Sequence, residues 1–138
     1  MACVFCQIAA GEIQAQIVHR DAANMVILDH APLFPGHCLV FPVEHYNELA
    51  DCPAEVFGCL SRLGQTVALA QRRALGCDGN FMATNAVVSQ SVPHLHIHVV
   101  PRRRKDGLHG FFWPRTRYSS PEEAASVASS LRDALAHG

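Results

Sequence analysis

The chain has 138 residues, 49% apolar and 17% charged, with a net charge of −1 when its histidines are neutral. That is enough apolar material for one folded domain rather than a disordered chain. The small net charge offers no broad basic field for nucleic acid, and no stretch reaches the roughly 18 apolar residues that would span a membrane.

The start, MACVFCQIAAGEIQ, lacks the basic-then-apolar pattern of a secretory signal, so a cytoplasmic location and six reduced cysteines are expected. Cys3-x-x-Cys6 alone is half of a zinc site. A thioredoxin-like redox motif would follow a strand, and this close to the start that context is missing. Cys38, Cys52 and Cys59 read as small buried hydrophobes.

In chain order, residues 5–10 predict one or two helical turns ended by Gly11. Residues 17–19 and 25–29 predict two strands joined by a polar turn at 21–24. HAPLFPGH is a loop by its prolines and glycine, and residues 37–42 form a nearly continuous apolar strand. Pro53 opens a long helix in which Val56, Leu60, Leu63, Val67, Ala70 and Ala74 form one apolar stripe, with Gly76 as its stop. Residues 81–85 and 95–100 predict two further strands, the last ended by Pro101. A final helix begins at Ser120, which has capping-box spacing to Glu123. The pattern is α+β: a five-stranded antiparallel sheet with a long helix and a C-terminal helix. Residues 1–102 are expected to form the domain core, and 103–138 an extension packed on the same domain.

In PHLHIHVVP (residues 93–101) three of the nine histidines alternate with Leu, Ile and Val. Successive strand side chains point to opposite faces. His94, His96 and His98 therefore share one face, about 6.7 Å apart, while Leu95, Ile97 and Val99 face a core. Imidazole titrates near neutral pH. One ring could attack phosphorus while its neighbours donate to phosphoryl oxygens. The same three could instead ligate a metal, or be structural.

HLHIHVV (residues 94–100) resembles the His-x-His-x-His-x-x signature of the histidine triad (HIT) family. Gln90-Ser91-Val92-Pro93 resembles its lead-in, GHCLVFPVEHYNEL its central strand and loop, and CVFCQIAAGEIQA its N-terminus. The resemblance covers residues 3 to 102, whereas RRRKDGLHGFFWPRTRY and the last helix resemble only some branches. It implies a HIT-like fold and a nucleotide hydrolase or transferase acting at an α-phosphate. It implies His96 as the nucleophile that carries a nucleotidyl intermediate. His98, Asn85 and His37 would stand at the phosphate, and Ser91 at the scissile bridge. Asp29 would bind the ribose hydroxyls, and Phe5, Ile8 and Leu28 would enclose the base, with Ser89 and Gln90 also on the nucleotide.

Ser89 departs from a common glycine, which puts the backbone geometry there in question. The resemblance also implies a structural zinc held by Cys3, Cys6, His45 and His94, with no catalytic metal. A purine nucleotide substrate and a two-fold homodimer are expected. A nucleotide-binding module with little or no catalysis is the competing reading. So are a hydrolase using all three triad histidines as zinc ligands and an interaction protein with an unused pocket. Arg102–Lys105 is either a solvated surface or a steering patch for polyphosphate. Phe111–Pro114 is too aromatic for a free tail and should pack on its own domain or across a dimer.

Overall fold

The computed structural model describes residues 2–109 and 114–137; Phe111–Trp113 lie outside the described residues. The chain divides into two compact units, Met1–Asp106 and Gly107–Gly138.

The first unit holds α1 (Val4–Ala9), β1 (Ile17–Arg20), β2 (Asn24–Leu28), β3 (Cys38–Pro42), α2 (Ala54–Leu75), β4 (Gly79–Ala83) and β5 (Ile97–Arg102). The strands form one antiparallel sheet in the order β1-β2-β3-β5-β4. Asp21 shapes the β1–β2 turn, its Oδ1 accepting from the N–H groups of Ala23 and Asn24 at 2.8 Å each.

Strand alternation gives the sheet two faces of different use. Val26, Val40, Ile97 and Val99 pack with Leu95 and with Leu60, Val67 and Ala68 of α2. Met25, Ile27, Leu39 and Phe41 point the other way, where Phe5 and Ile8 of α1 cover them.

The long helix is as expected, closed by Gly76 in the left-handed region at φ 64°, but its buried stripe differs. Ala70 and Ala74 are exposed, and Gly64, Ala68 and Gln71 are buried instead. The cause is Gly64, where a Cβ would come within 2.8 Å of Met82 Cε. Lacking a side chain, it lets the helix sit close on the sheet and turns the buried face by about one residue. Gln71 is then buried but fully used: Nε2 donates to the carbonyls of Gly36 and Val99, and Oε1 accepts from Asn80.

Two strand limits also shift. β5 starts at Ile97 and runs through Pro101 to Arg102. Pro101 is tolerated because β3 pairs only as far as Val99, so no β3 group lacks a donor. β4 stops at Ala83, and the next residue, Thr84, donates its hydroxyl to the carbonyl of His96 at 2.7 Å. Cys38 is buried as expected and Cys52 is partly buried, but Cys59 is exposed, its Sγ accepting from Asn24.

In the second unit, α3 (Pro121–Ala136) is capped by Ser120, whose Oγ accepts from the Glu123 N–H. Glu123 reaches back to the N–H and hydroxyl of Ser119 rather than to Ser120, a capping box shifted by one residue. Among the described residues no helix is long and apolar enough to cross a membrane.

Candidate active site

A cavity of about 1030 Å³ opens on the α1 face of the sheet. That is roughly the upper size of small-molecule sites, typically about 300–1,000 Å³. Phe5, Ile8, Ile27, Leu28 and Leu39 supply its apolar wall, and Asp29, Ser91, His96 and His98 its polar groups. Sequence reasoning missed several lining residues, among them Val4, Ile13, Ile27, Leu39 and Val92. They are ordinary apolar residues, distinguished only by where the sheet and α1 put them.

His96 is 6% exposed. Its Nδ1 lies 2.7 Å from the carbonyl of His94. A carbonyl only accepts, so the proton sits on Nδ1 and Nε2 keeps its lone pair. No hydrogen bond occupies that nitrogen among the described residues. Burial pushes the ring's pKa below its ordinary value, opposed by the His94 carbonyl and by the charge of Asp29. A neutral imidazole with one free nitrogen is a nucleophile. The Phe5 ring stands edge-on to it at 5.1 Å and keeps that side dry. Thr84, through its bond to the His96 carbonyl, anchors the backbone behind it.

His98 and His37 are linked by a chain of proton assignments. The Leu33 N–H donates to His37 Nδ1 at 3.1 Å, so His37 carries its proton on Nε2. That proton goes to His98 Nδ1 at 2.9 Å, which leaves His98 with an Nε2–H as donor. Burial, then the neighbouring His96 and His37, pushes His98 down to about 4, while Asp29 opposes. His37 itself is 4% exposed and does not line the cavity; it orients His98. Asp29, His37 and His98 are close enough to hold a cation, all within 4.8 Å. A metal on His37 Nε2 would force its proton onto Nδ1, against the Leu33 N–H; that proton instead goes to His98, with Asp29 Oδ2 as a nearby charge 3.6 Å from His37 Nε2. Asp29 braces its turn, with Oδ1 accepting from the Ala31 N–H at 2.9 Å, and still lines the cavity.

The loop before the triad holds itself together. Asn85 Nδ2 donates to the Ser89 carbonyl at 3.1 Å. Gln90 Oε1 accepts from the Val87 N–H at 3.0 Å, and Gln90 Nε2 donates to the Asn47 carbonyl at 2.7 Å. Asn85, Ser89 and Gln90 therefore brace the loop and are not among the lining residues, whereas Ser91 is. Ser89 stands in the left-handed conformation that glycine adopts without strain, at φ 60°.

Only His96 and His98 of the triad line the cavity, because His94 faces elsewhere. Its Nδ1 lies 3.2 Å from Cys3 Sγ and 3.6 Å from Cys6 Sγ, and His45 Nδ1 lies 3.3 Å from Cys6 Sγ. The far nitrogens donate, His94 Nε2 to the Pro42 carbonyl at 2.8 Å and His45 Nε2 to Asn47 Oδ1 at 3.0 Å. Both rings thus turn a lone pair toward two thiols. Tetrahedral zinc bonds of about 2.3 Å to sulfur and 2.0–2.1 Å to nitrogen put ligand atoms roughly 3.6 Å apart, so the four residues fit zinc. Zinc there would tie α1 to the chain beside His96 and withdraw His94 from proton transfer. The basic run lies apart: Arg102 forms a paired bond to Asp106, and Arg103 donates to the Leu75 and Gly76 carbonyls. None of it lines this cavity.

The HIT domain family model matches residues 10–105. An uncharacterized HIT-like protein of Mycobacterium tuberculosis is 37% identical over 138 residues, covering 99% of this chain and 94% of its own length. The adenylylsulfatase HINT3 of Arabidopsis thaliana is 35% identical over 108 residues, 77% of this chain and 55% of that protein. The adenosine 5'-monophosphoramidase of Schizosaccharomyces pombe is 29% identical over 133 residues, 95% and 96% respectively. A zinc-bound histidine triad family protein from Mycobacterium smegmatis superposes with a TM-score of 0.76 at 35% identity, over 100% of this chain and 99% of that one. A HIT family protein from Bacillus subtilis gives 0.85 at 28%, over 96% of each.

Two outcomes follow from the geometry. The folded protein resists protonating His98, which Asp29, His37 and His96 face, while the unfolded chain takes that proton near 6.5. Stability is therefore full above pH 6.5 and falls as pH drops toward about 4, by up to roughly 3 kcal/mol from this residue. His98→Gln should make the fall of thermal midpoint with pH shallower, and an unchanged slope would remove His98 as a cause. Ser89→Gly should raise the urea midpoint, by about 1 kcal/mol of stability, because glycine takes this conformation without strain. A lower midpoint would mean that the serine side chain contributes more than the strain costs.

Proposed function

The chain belongs to the HIT domain family, and on that premise we propose that it is a hydrolase acting at the α-phosphate of purine nucleoside phosphate derivatives, either phosphoramidates or dinucleoside polyphosphates. The observation that carries this is the buried, neutral His96 with its proton held on Nδ1 and Nε2 open to the cavity. Two relatives named as an adenylylsulfatase and an adenosine 5'-monophosphoramidase support a substrate of the adenylyl class.

The base would lie between the apolar residues of α1 and β2, and the ribose hydroxyls would donate to Asp29. His96 Nε2 attacks the α-phosphorus. A phosphorus–nitrogen bond to the enzyme forms as the bond to the leaving group breaks, and the electron pair departs with that group. The Ser91 hydroxyl donates to the bridging atom. His98 Nε2–H donates to a non-bridging oxygen, stabilising charge as it builds. The His94 carbonyl stabilises the Nδ1–H as the ring becomes cationic. Water then attacks phosphorus, the bond to His96 breaks, and nucleoside monophosphate leaves with the free imidazole restored.

We propose further that Cys3, Cys6, His45 and His94 hold a structural zinc, and that the protein is a two-fold homodimer. β4 is the last strand in the sheet order, with Met82 exposed on it, and the edge of a sheet is a common surface for joining a second copy.

His96→Ala should lower turnover of an adenylyl phosphoramidate by roughly a thousandfold or more and abolish the acid-quenched nucleotidyl adduct, while monophosphate still binds. Absence of turnover and adduct in the parent protein would favour a binding module instead. Cys3→Ala should lose stoichiometric zinc and lower the thermal midpoint while part of the His96 adduct survives. Zinc retained in that variant would refute the four-ligand site.

A further inference from the structure

The loop at 86–91 is the most strained part of the described chain. Val87 stands at φ 67° and Ser89 at φ 60°. A β-branched residue in the left-handed region is a true outlier, and such conformations persist only where the surroundings hold them. Val87 and Val88 are exposed, so core packing does not hold this loop. Hydrogen bonds do, and the side chain of Gln90 makes two of them.

Its amide can be oriented only one way. Oε1 meets an N–H, that of Val87, at 3.0 Å, and Nε2 meets a carbonyl, that of Asn47, at 2.7 Å. Asn47 lies 43 residues away in sequence and is held at its other end. Its Oδ1 accepts from His45 Nε2 at 3.0 Å, and the opposite nitrogen of that ring faces Cys6 Sγ. A metal-binding histidine commonly gives its second N–H to an oxygen that fixes the ring. Here that oxygen belongs to the residue that anchors the loop carrying Ser91.

We propose that Gln90 is a positioning residue, strapping the strained 86–91 loop to Asn47 and through it to His45, so that filling the Cys3–Cys6–His45–His94 cluster holds Ser91 in register with His96. The functional half rests on the reading of Ser91 and His96 given above; the mechanical half does not. With the cluster filled, His45 cannot turn, Asn47 is fixed and the strap is taut. With it empty, His45 is free to rotate, Asn47 loses one of its holds, and Val87 and Ser89 can relax toward ordinary backbone angles. Gln90 touches no reacting atom in this arrangement, and its effect passes through the loop.

The test is amide hydrogen exchange at Val87, whose N–H is the one Gln90 accepts, followed in the zinc-loaded and chelated full-length protein. Chelation should speed exchange at Val87 at least tenfold in the parent. Gln90→Ala should exchange fast whether loaded or chelated. Gln90→Glu, which keeps the acceptor for Val87 but loses the donor to Asn47, should fall between the two. Asn47→Ala should remove the response to chelation while leaving the Gln90 bond to the main-chain carbonyl. In steady-state kinetics Gln90→Ala should lower kcat at least tenfold with little change in KM. Slow exchange at Val87 in Gln90→Ala, or a parent that does not respond to chelation, would overturn the strap. A raised KM with unchanged kcat would overturn the positioning role, since Gln90 would then be touching nucleotide directly. The exchange results stand even if the protein turns over no substrate, so failure of the hydrolase reading and failure of the strap are distinguishable.

Discussion

The hydrogen bond from His96 Nδ1 to the carbonyl of His94, 2.7 Å long, joins two sites that differ in every other respect. On one side is a side chain whose far nitrogen opens to a cavity. On the other is a residue whose own ring is turned to two thiols. The carbonyl chooses the tautomer of His96, and burial keeps that ring neutral. Without the bond the free electron pair could sit on either nitrogen, and the nitrogen facing the cavity would no longer be assured of its lone pair. Thr84 secures the same stretch from behind by donating to the His96 carbonyl.

The sheet makes this possible by keeping its faces separate. Branched aliphatics on the α2 side supply the cohesion, with Gly64 drawing the helix in. The opposite side is then free to hold imidazoles, which a close-packed core would not accept unpaired. Each buried imidazole of the site has a partner. His94 donates to Pro42, His96 to His94, and His37 to His98 while accepting from Leu33. Buried histidines with settled tautomers are preorganised, so little need reorient when charge develops on a phosphoryl group. The three triad rings differ in role because each meets a different neighbour, not because their local sequence differs.

Strain and bracing balance at the loop before the triad. Two residues without glycine's freedom sit in the left-handed region, and side-chain amides of Asn85 and Gln90 compensate. Residues whose type suggests contact with phosphate are used here to support the backbone that carries Ser91. The distinction between touching a ligand and placing the group that touches it lies in where one amide points.

Residue types and their alternation were readable from the chain alone. Period-two patterning separated His94, His96 and His98 from Leu95, Ile97 and Val99 although the regular strand begins only at Ile97. Cys3-x-x-Cys6 advertised two members of the Cys/His cluster that His45 and His94 complete. The capping residues and Gly76 marked helix ends, since these depend on neighbours a few positions away. What the letters could not decide is which ring does what. That depends on partners far off in sequence: Cys3 for His94 at a separation of 91 residues, His37 for His98 at 61, Asn47 for Gln90 at 43. The rotated stripe of α2 and the tolerance of Pro101 inside β5 likewise follow from how closely other elements approach. Local chemistry is written in short spacings; tautomer, burial and register are properties of contacts, and contacts exist only once the chain has folded.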